Sequence, residues 1–237
     1  MATAAILRLV SLIGAGLLLW ACSTPPPRLY VLSAIPPQAP PQAAAAGSSS
    51  PPAARTSTAR HAGPMLIGIA PITMPDYLDR PEMIERASDN EITVDNQQRW
   101  AERLSTNATR VLVENLSSLL GSERIVALPA RARTRYEVDL DLSRFDVDTD
   151  RSAVMTGRWS IVDAETGTEV RSGAVRLRQV VGNDGFDEIA AAMSRNLEAT
   201  SREIAAALAQ LSHEPQPSAR PAERQAMIAL RQKPANH

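Results

Sequence analysis

The chain has 237 residues, 25 basic and 26 acidic side chains, a formal net charge of −1 and only 3% aromatic residues. A charge so balanced, with so few aromatics, excludes the basic, ring-bearing surface that nucleic-acid binding needs. The length allows one domain with a full core plus extended segments, and a single cysteine rules out an intrachain disulfide.

The first feature in chain order is an apolar run over residues 9–19, broken only by Ser11, Gly14 and Gly16 and preceded by Arg8. It stops at Leu19-Trp20-Ala21-Cys22-Ser23, and Pro25-Pro26-Pro27 follows at once. A membrane-spanning helix needs about 20 apolar residues, more than this run supplies. A secreted protein with a free Cys22 would carry an exposed thiol in an oxidising compartment. Leu19 three places before the cysteine and Ala21 one before resemble the bacterial lipobox. The resemblance implies cleavage after residue 21, acylation of Cys22 and, with Ser23 rather than Asp next, sorting to the outer membrane. Two or three acyl chains anchor stably where one binds marginally. Loss of residues 1–21 removes only Arg8 among the charges, leaving 24 basic against 26 acidic.

Residues 28–32 predict a short strand with Leu29 and Val31 on one face and Tyr30 and Leu32 on the other. Residues 36–64 are Pro, Ala, Ser, Gly and Gln with little to bury, and predict a disordered insert. Order resumes at residues 65–70, a nearly continuous apolar run of the kind buried on both faces. Pro71, Pro75 and Pro81 then predict an irregular stretch that leaves the ladder. Residues 82–90 are ambiguous, and 91–95 read as a strand. From Trp100 the apolar positions Leu104, Ala108, Val111, Leu112, Leu116 and Leu119 fall at threes and fours, predicting an amphipathic helix closed by Gly121.

A strand at 124–128 precedes the clearest β signal, Tyr136, Val138, Leu140 and Leu142 alternating with acids. Phe145 and Val147 continue with shifted parity, which predicts a bulge near Ser143-Arg144. Residues 153–162 and 169–181 predict a hairpin. Asp184 is placed to cap a last helix that carries Asp187 and Glu188 in its first turn. Its buried stripe is Ile189, Met193, Leu197, Ile204, Leu208 and Leu211. The fold class is therefore α+β: a mixed, largely antiparallel sheet of about six or seven strands with two main helices on one face. The expected organisation is a signal peptide at 1–21, a lipidated N-terminus and first strand at 22–35, the insert at 36–64, the rest of one globular domain at 65–211 and a flexible tail at 212–237.

The chemistry-bearing residues are sparse. His61, His213 and His237 fall in the insert or the tail, where no scaffold fixes geometry. Asp146-Val147-Asp148-Thr149-Asp150 begins like a calcium loop, but Arg151 stands where glycine is needed, so it reads as a solvated acidic strand end. Asp139 and Asp141 stand about 7 Å apart on a wet face, with nothing in the sequence to mark a pocket around them. No catalytic, cofactor-binding or metal-binding set emerges, and the expectation is a protein that is not an enzyme.

Tyr77, Leu78, Asp79 and Arg80 stand out because prolines stiffen the loop that holds them, and aromatic and arginine side chains are favoured at binding hot spots. With Arg99 and Trp100 they are the partner-binding candidates. In the packing reading of the same residues, Tyr77 and Leu78 plug the core and Asp79 pairs with Arg80 or Arg99. The order of Leu29-Tyr30-Val31-Leu32, Ile67-Gly68-Ile69-Ala70-Pro71-Ile72, Met74-Pro75-Asp76-Tyr77-Leu78-Asp79-Arg80-Pro81 and Arg99-Trp100-Ala101-Glu102 resembles the PqiC-type ABC-transport auxiliary lipoproteins. The resemblance spans residues 30–211. It implies a periplasmic, outer-membrane-anchored accessory of an MCE-type lipid transport system, without catalytic residues, docked at the far end of an MCE tunnel that an inner-membrane ATPase and permease feed. A homo-oligomer is compatible with this. The alternative is a structural or assembly lipoprotein of the envelope with no transport partner.

Overall fold

The computed structural model describes residues 26–36, 66–122, 124–131, 133–182 and 185–213. Cys22, Asp184, the tail beyond residue 213 and nearly all of the 36–64 insert lie outside these residues.

The longest alternating segment becomes the spine of the sheet. In β6 (Tyr136–Val147) the apolar members face the core, while Asp139 and Asp141 face water. One side of β6 pairs with β7 (Ser152–Asp163), and β7 pairs with β8 (Thr168–Val180), both antiparallel, as the patterning predicts. The register shifts between Leu142 and Arg144, which returns Phe145 and Val147 to the core face. Gly157 lies opposite Leu142 at this point. A Cβ there would strike the Asp141 carbonyl, so only glycine lets the two backbones approach.

The other side of β6 is shared by three successive pieces of chain. β2 (Ile67–Ile69) runs parallel to its start and is buried throughout, because β5 (Ile125–Ala127) closes its far side. Next comes Thr73, whose N–H donates to Leu140 O at 3.1 Å and whose carbonyl accepts from Leu142 N–H at 2.9 Å. Thr73, between Pro71 and Pro75, keeps its own donor and makes this bridge, and the irregular stretch expected between Pro75 and Pro81 follows at residues 76–80. At the end of β6, β3 (Glu82–Ser88) joins through Glu85 and Val147, and this resolves the ambiguous stretch as a strand. β3 turns into β4 (Glu91–Trp100), and β1 (Arg28–Tyr30) lies parallel along the far side of β4. Among the described residues the sheet has eight strands, mixed in direction.

Two helices cover the core face. α1 (Leu104–Leu120) buries Leu104, Ala108, Val111, Leu112 and Leu116, and Gly121, at φ 56°, closes it with an N–H bond to Ser117 O. Its expected first residue, Trp100, instead ends β4, where its N–H bonds Pro81 O and its backbone pairs with Tyr30. Both periodicities bury Trp100, so spacing alone could not separate them. α2 (Phe186–His213) buries the six predicted residues and carries Asp187 and Glu188 in its first turn.

The chain leaving β1 runs between the helices. Its N–H groups at Leu32, Ser33 and Ile35 donate to Asn107 Oδ1 at 2.6 Å, Ser194 Oγ at 3.0 Å and Asn115 Oδ1 at 2.8 Å. Asn115 in turn donates to Ser201 Oγ at 3.0 Å across the helix pair. Buried backbone donors need acceptors, and here side chains on the helices supply them.

Candidate partner-binding surface

The loop at residues 75–81 is built from inside outwards. Leu78 is fully buried beside Met83, Trp100, Leu104 and Phe145, so it fastens the loop to the core. Leu78 N–H donates to Pro75 O at 2.9 Å, closing a tight turn. Asp79 does not pair with Arg80 or Arg99. Its carboxylate accepts from Arg103 Nε at 2.9 Å and from Ser105 N–H at 3.0 Å, at the amino end of α1. Arg103, at the cap position, offers no side-chain bond, and the first turn of α1 holds no acid. Asp79 therefore caps a helix from a distant loop. Burial pushes its carboxyl up, but Ser105 and Arg103 outweigh this and hold it below the usual aspartate value.

Outside this plug the loop presents Tyr77 and Arg80. The Tyr77 hydroxyl accepts from Arg86 Nη2 at 3.2 Å, and Arg86 Nε donates to Asp146 Oδ2 at 3.0 Å. Arg144 donates to the other oxygen of Asp146 through Nε at 3.1 Å and Nη2 at 2.8 Å. Asp146 is thus completely buried between two guanidinium groups, which corrects its reading as a solvated strand end. The network continues from Arg144 to Asp148, Arg178 and Asp150. Arginines occupy these carboxylates, and among the described residues no three His, Cys, Asp or Glu are grouped to hold a metal ion. Desolvation would lower Arg86, yet Asp146 and Tyr77 hold it above its ordinary value.

Arg80 Nε and Arg99 Nη2 grip one carboxylate, that of Glu82, at 2.9 and 3.3 Å. The hydrogen bond from Arg80 is the main cause of the lowered Glu82 pKa. One negative charge faces two positive ones, so the pair presents net positive charge, with both arginines more than a third exposed. Leu29 pairs with Arg99 in the β1–β4 ladder and is 63% exposed, and Val31 is 49% exposed. Tyr77, Arg80 and Arg99 are thus each partly exposed on a rigid support, Tyr77 also packing against the core, beside two exposed apolar side chains. Leu78 and Trp100 stand behind them in the core.

The supports of this surface were only partly visible in the sequence. Asn107 and Asn115, both on the buried stripe of α1, break its apolar pattern. The lack of an acid or hydroxyl at the start of α1 hints that its cap comes from elsewhere. Nothing local marks Asp146. Asp139 is pushed up, by burial first and by Glu137 second. Asp141 accepts from the Thr73 hydroxyl at 3.1 Å. A groove of about 620 Å³ is lined by Glu137, Arg133 and Arg135 but by neither aspartate.

The profile of the family described as the ABC-type transport auxiliary lipoprotein component matches residues 48–205, which include the whole loop and Arg99 to Glu102. The chain belongs to this family. Auxiliary lipoproteins named "Intermembrane transport lipoprotein PqiC", from Escherichia coli K12 and from Shigella flexneri, are each 25% identical to it over 134 residues, covering 56% of this chain and 70% of theirs. Two crystal structures share the fold. One, of an uncharacterised protein, is 23% identical with a TM-score of 0.55, covering 61% of this chain and 92% of that one. The other, of a Xanthomonas campestris protein, is 18% identical with a TM-score of 0.52, covering 60% and 81%. No helix among the described residues of this auxiliary lipoprotein is long and apolar enough to cross a membrane.

Replacing Asp79 by alanine should cost about 1 kcal/mol at neutral pH, the usual worth of a helix cap. Because the folded pKa is depressed, this contribution is present above the ordinary aspartate value of about 4 and is lost as pH falls through the folded pKa. Urea unfolding of wild type and Asp79→Ala should therefore show a gap at pH 7 that closes in strong acid; a gap that persists there would assign the loss to packing.

Proposed function

We propose that this auxiliary lipoprotein is a non-enzymatic accessory subunit of an MCE-type ABC transport system, held at the periplasmic face of the outer membrane by acyl chains on Cys22. It docks on the MCE tunnel protein through Tyr77, Arg80 and Arg99 and keeps the tunnel outlet near the membrane while lipid passes between the two membranes. Leu78, Asp79 and Trp100 serve that surface from behind, as plug, helix cap and floor. The family match carries this reading, and the PqiC name of its relatives supplies the intermembrane setting.

The geometry supports it in two ways. An aromatic ring and two arginines on a loop fixed by Leu78, Asp79 and the Arg86–Asp146 pair lose little freedom when a partner binds. Only five residues separate Cys22 from β1, a reach of at most about 18 Å for any chain conformation, so an anchor at Cys22 would hold β1, with Leu29 and the neighbouring Arg99, close to the membrane.

Cys22→Ala should leave the folded domain intact and move it from the membrane fraction to the soluble periplasm; fractionation that still finds it in membranes contradicts the anchor. A Tyr77→Ala, Arg80→Ala double variant should weaken binding of the MCE protein in coprecipitation by about thirtyfold, as expected for two hot-spot residues of about 1 kcal/mol each. Full retention takes the loop out of the interface. If wild type captures no MCE protein, the structural lipoprotein without a transport partner becomes the better reading.

A further inference from the structure

The two branches of the sheet beyond β6 end in edge strands of three residues each, β1 and β5. The opposite edge is different. β8 has 13 residues, pairs only with β7 among the described strands, and holds a regular register from Arg171 to Val180. Natural sheets blunt long edges with prolines, bulges or covering elements, because the outward N–H and C=O groups otherwise template another strand. β8 has no proline, and the register irregularity lies near its turn, between Ile161 and Val162 of β7.

Side chains on and beside β8 narrow what would pair there. On its outer face Arg178 is satisfied by Asp148 and Asp150, and Arg158 of β7 by Glu169 and Ser172. Arg176 lies between them in sequence on the same face, is exposed, and has no carboxylate partner among the described residues. On the inner face the Trp159 ring packs on Gly173, where a Cβ would come within 2.7 Å of its Nε1. Trp159 is 4% exposed, yet this indole N–H has no acceptor among the described residues. A strand added to β8 would place one side chain opposite Gly173, on the face of that N–H, and another opposite Arg176. A second copy of β8 is poorly suited. Antiparallel pairing at full overlap sets Arg176 of each copy opposite Ser172 of the other, so neither arginine gains a carboxylate.

We propose that β8 is a docking edge for an acidic, extended segment of another protein, which adds to the sheet as a further strand and places a carboxylate at Arg176. This edge is separated from the 75–81 loop by β6 and β7, and its use does not depend on which partner carries the segment.

The test uses the full chain in detergent micelles and a fluorescein-labelled peptide of about ten residues that alternates Glu with Val and Thr. Fluorescence anisotropy should show binding that weakens with salt, and hydrogen exchange should show new protection confined to residues 168–180. Arg176→Glu should weaken binding by about tenfold, the reversal of one favourable cross-strand charge pair. A peptide with lysine for glutamate, or with alternate backbone amides N-methylated, should not bind. Equal binding of the N-methylated peptide, protection elsewhere on the chain, unaltered affinity in Arg176→Glu, or residues 168–180 already protected by self-association without peptide would each overturn the proposal.

Discussion

Helix α1 begins on Arg103, whose side chain gives the backbone no acceptor, and the carboxylate of Asp79 takes that place from 26 residues before Ser105. Each element fixes the other: the loop completes the helix, and the helix end holds the loop. Leu78, the next residue inward, adds a buried side chain to the same joint. A stretch of prolines and turns, which would otherwise be among the least ordered parts of the chain, becomes one of the best supported. That support is what lets Tyr77 and Arg80 act as a presented surface.

The same joint reaches the first strand. Trp100 N–H bonds Pro81 O, and Ala101 N–H bonds Tyr30 O at 2.9 Å, so the end of the loop, the end of β4 and the first strand share one junction. Beyond it, Asn107, Asn115 and Ser194 hold the chain between the helices. A pull on the N-terminus is therefore transmitted to α1 and to the loop through hydrogen bonds, some of them buried. The arginine and aspartate network on the outer face ties Tyr77 to the turn between β6 and β7 by the same kind of contact.

Much of this architecture could be read from residue patterns. Alternation through Tyr136, Val138, Leu140 and Leu142 gave the spine and its bulge, and the stripes of both helices matched their buried faces. Trp100 is buried both as the last residue of a strand and as the first of an apolar helical stripe, so its burial does not tell the two apart. Asp146 read as solvated because its two arginines, Arg86 and Arg144, come to it from different strands, and only the fold brings Arg86 near. Of the candidate surface, the loop and Arg99 were legible as residues, but their division into plug, cap and exposed contact was not.

In the proposed arrangement the loop at 75–81 faces an MCE-type subunit in the envelope. Site-specific photo-crosslinking in cells tests it most directly, with a photoreactive amino acid placed at Tyr77 and, as a control, at exposed Glu203 on α2. The account predicts an adduct to the MCE protein from position 77 and none from 203. No adduct from 77, or equal adducts from both positions, would contradict it.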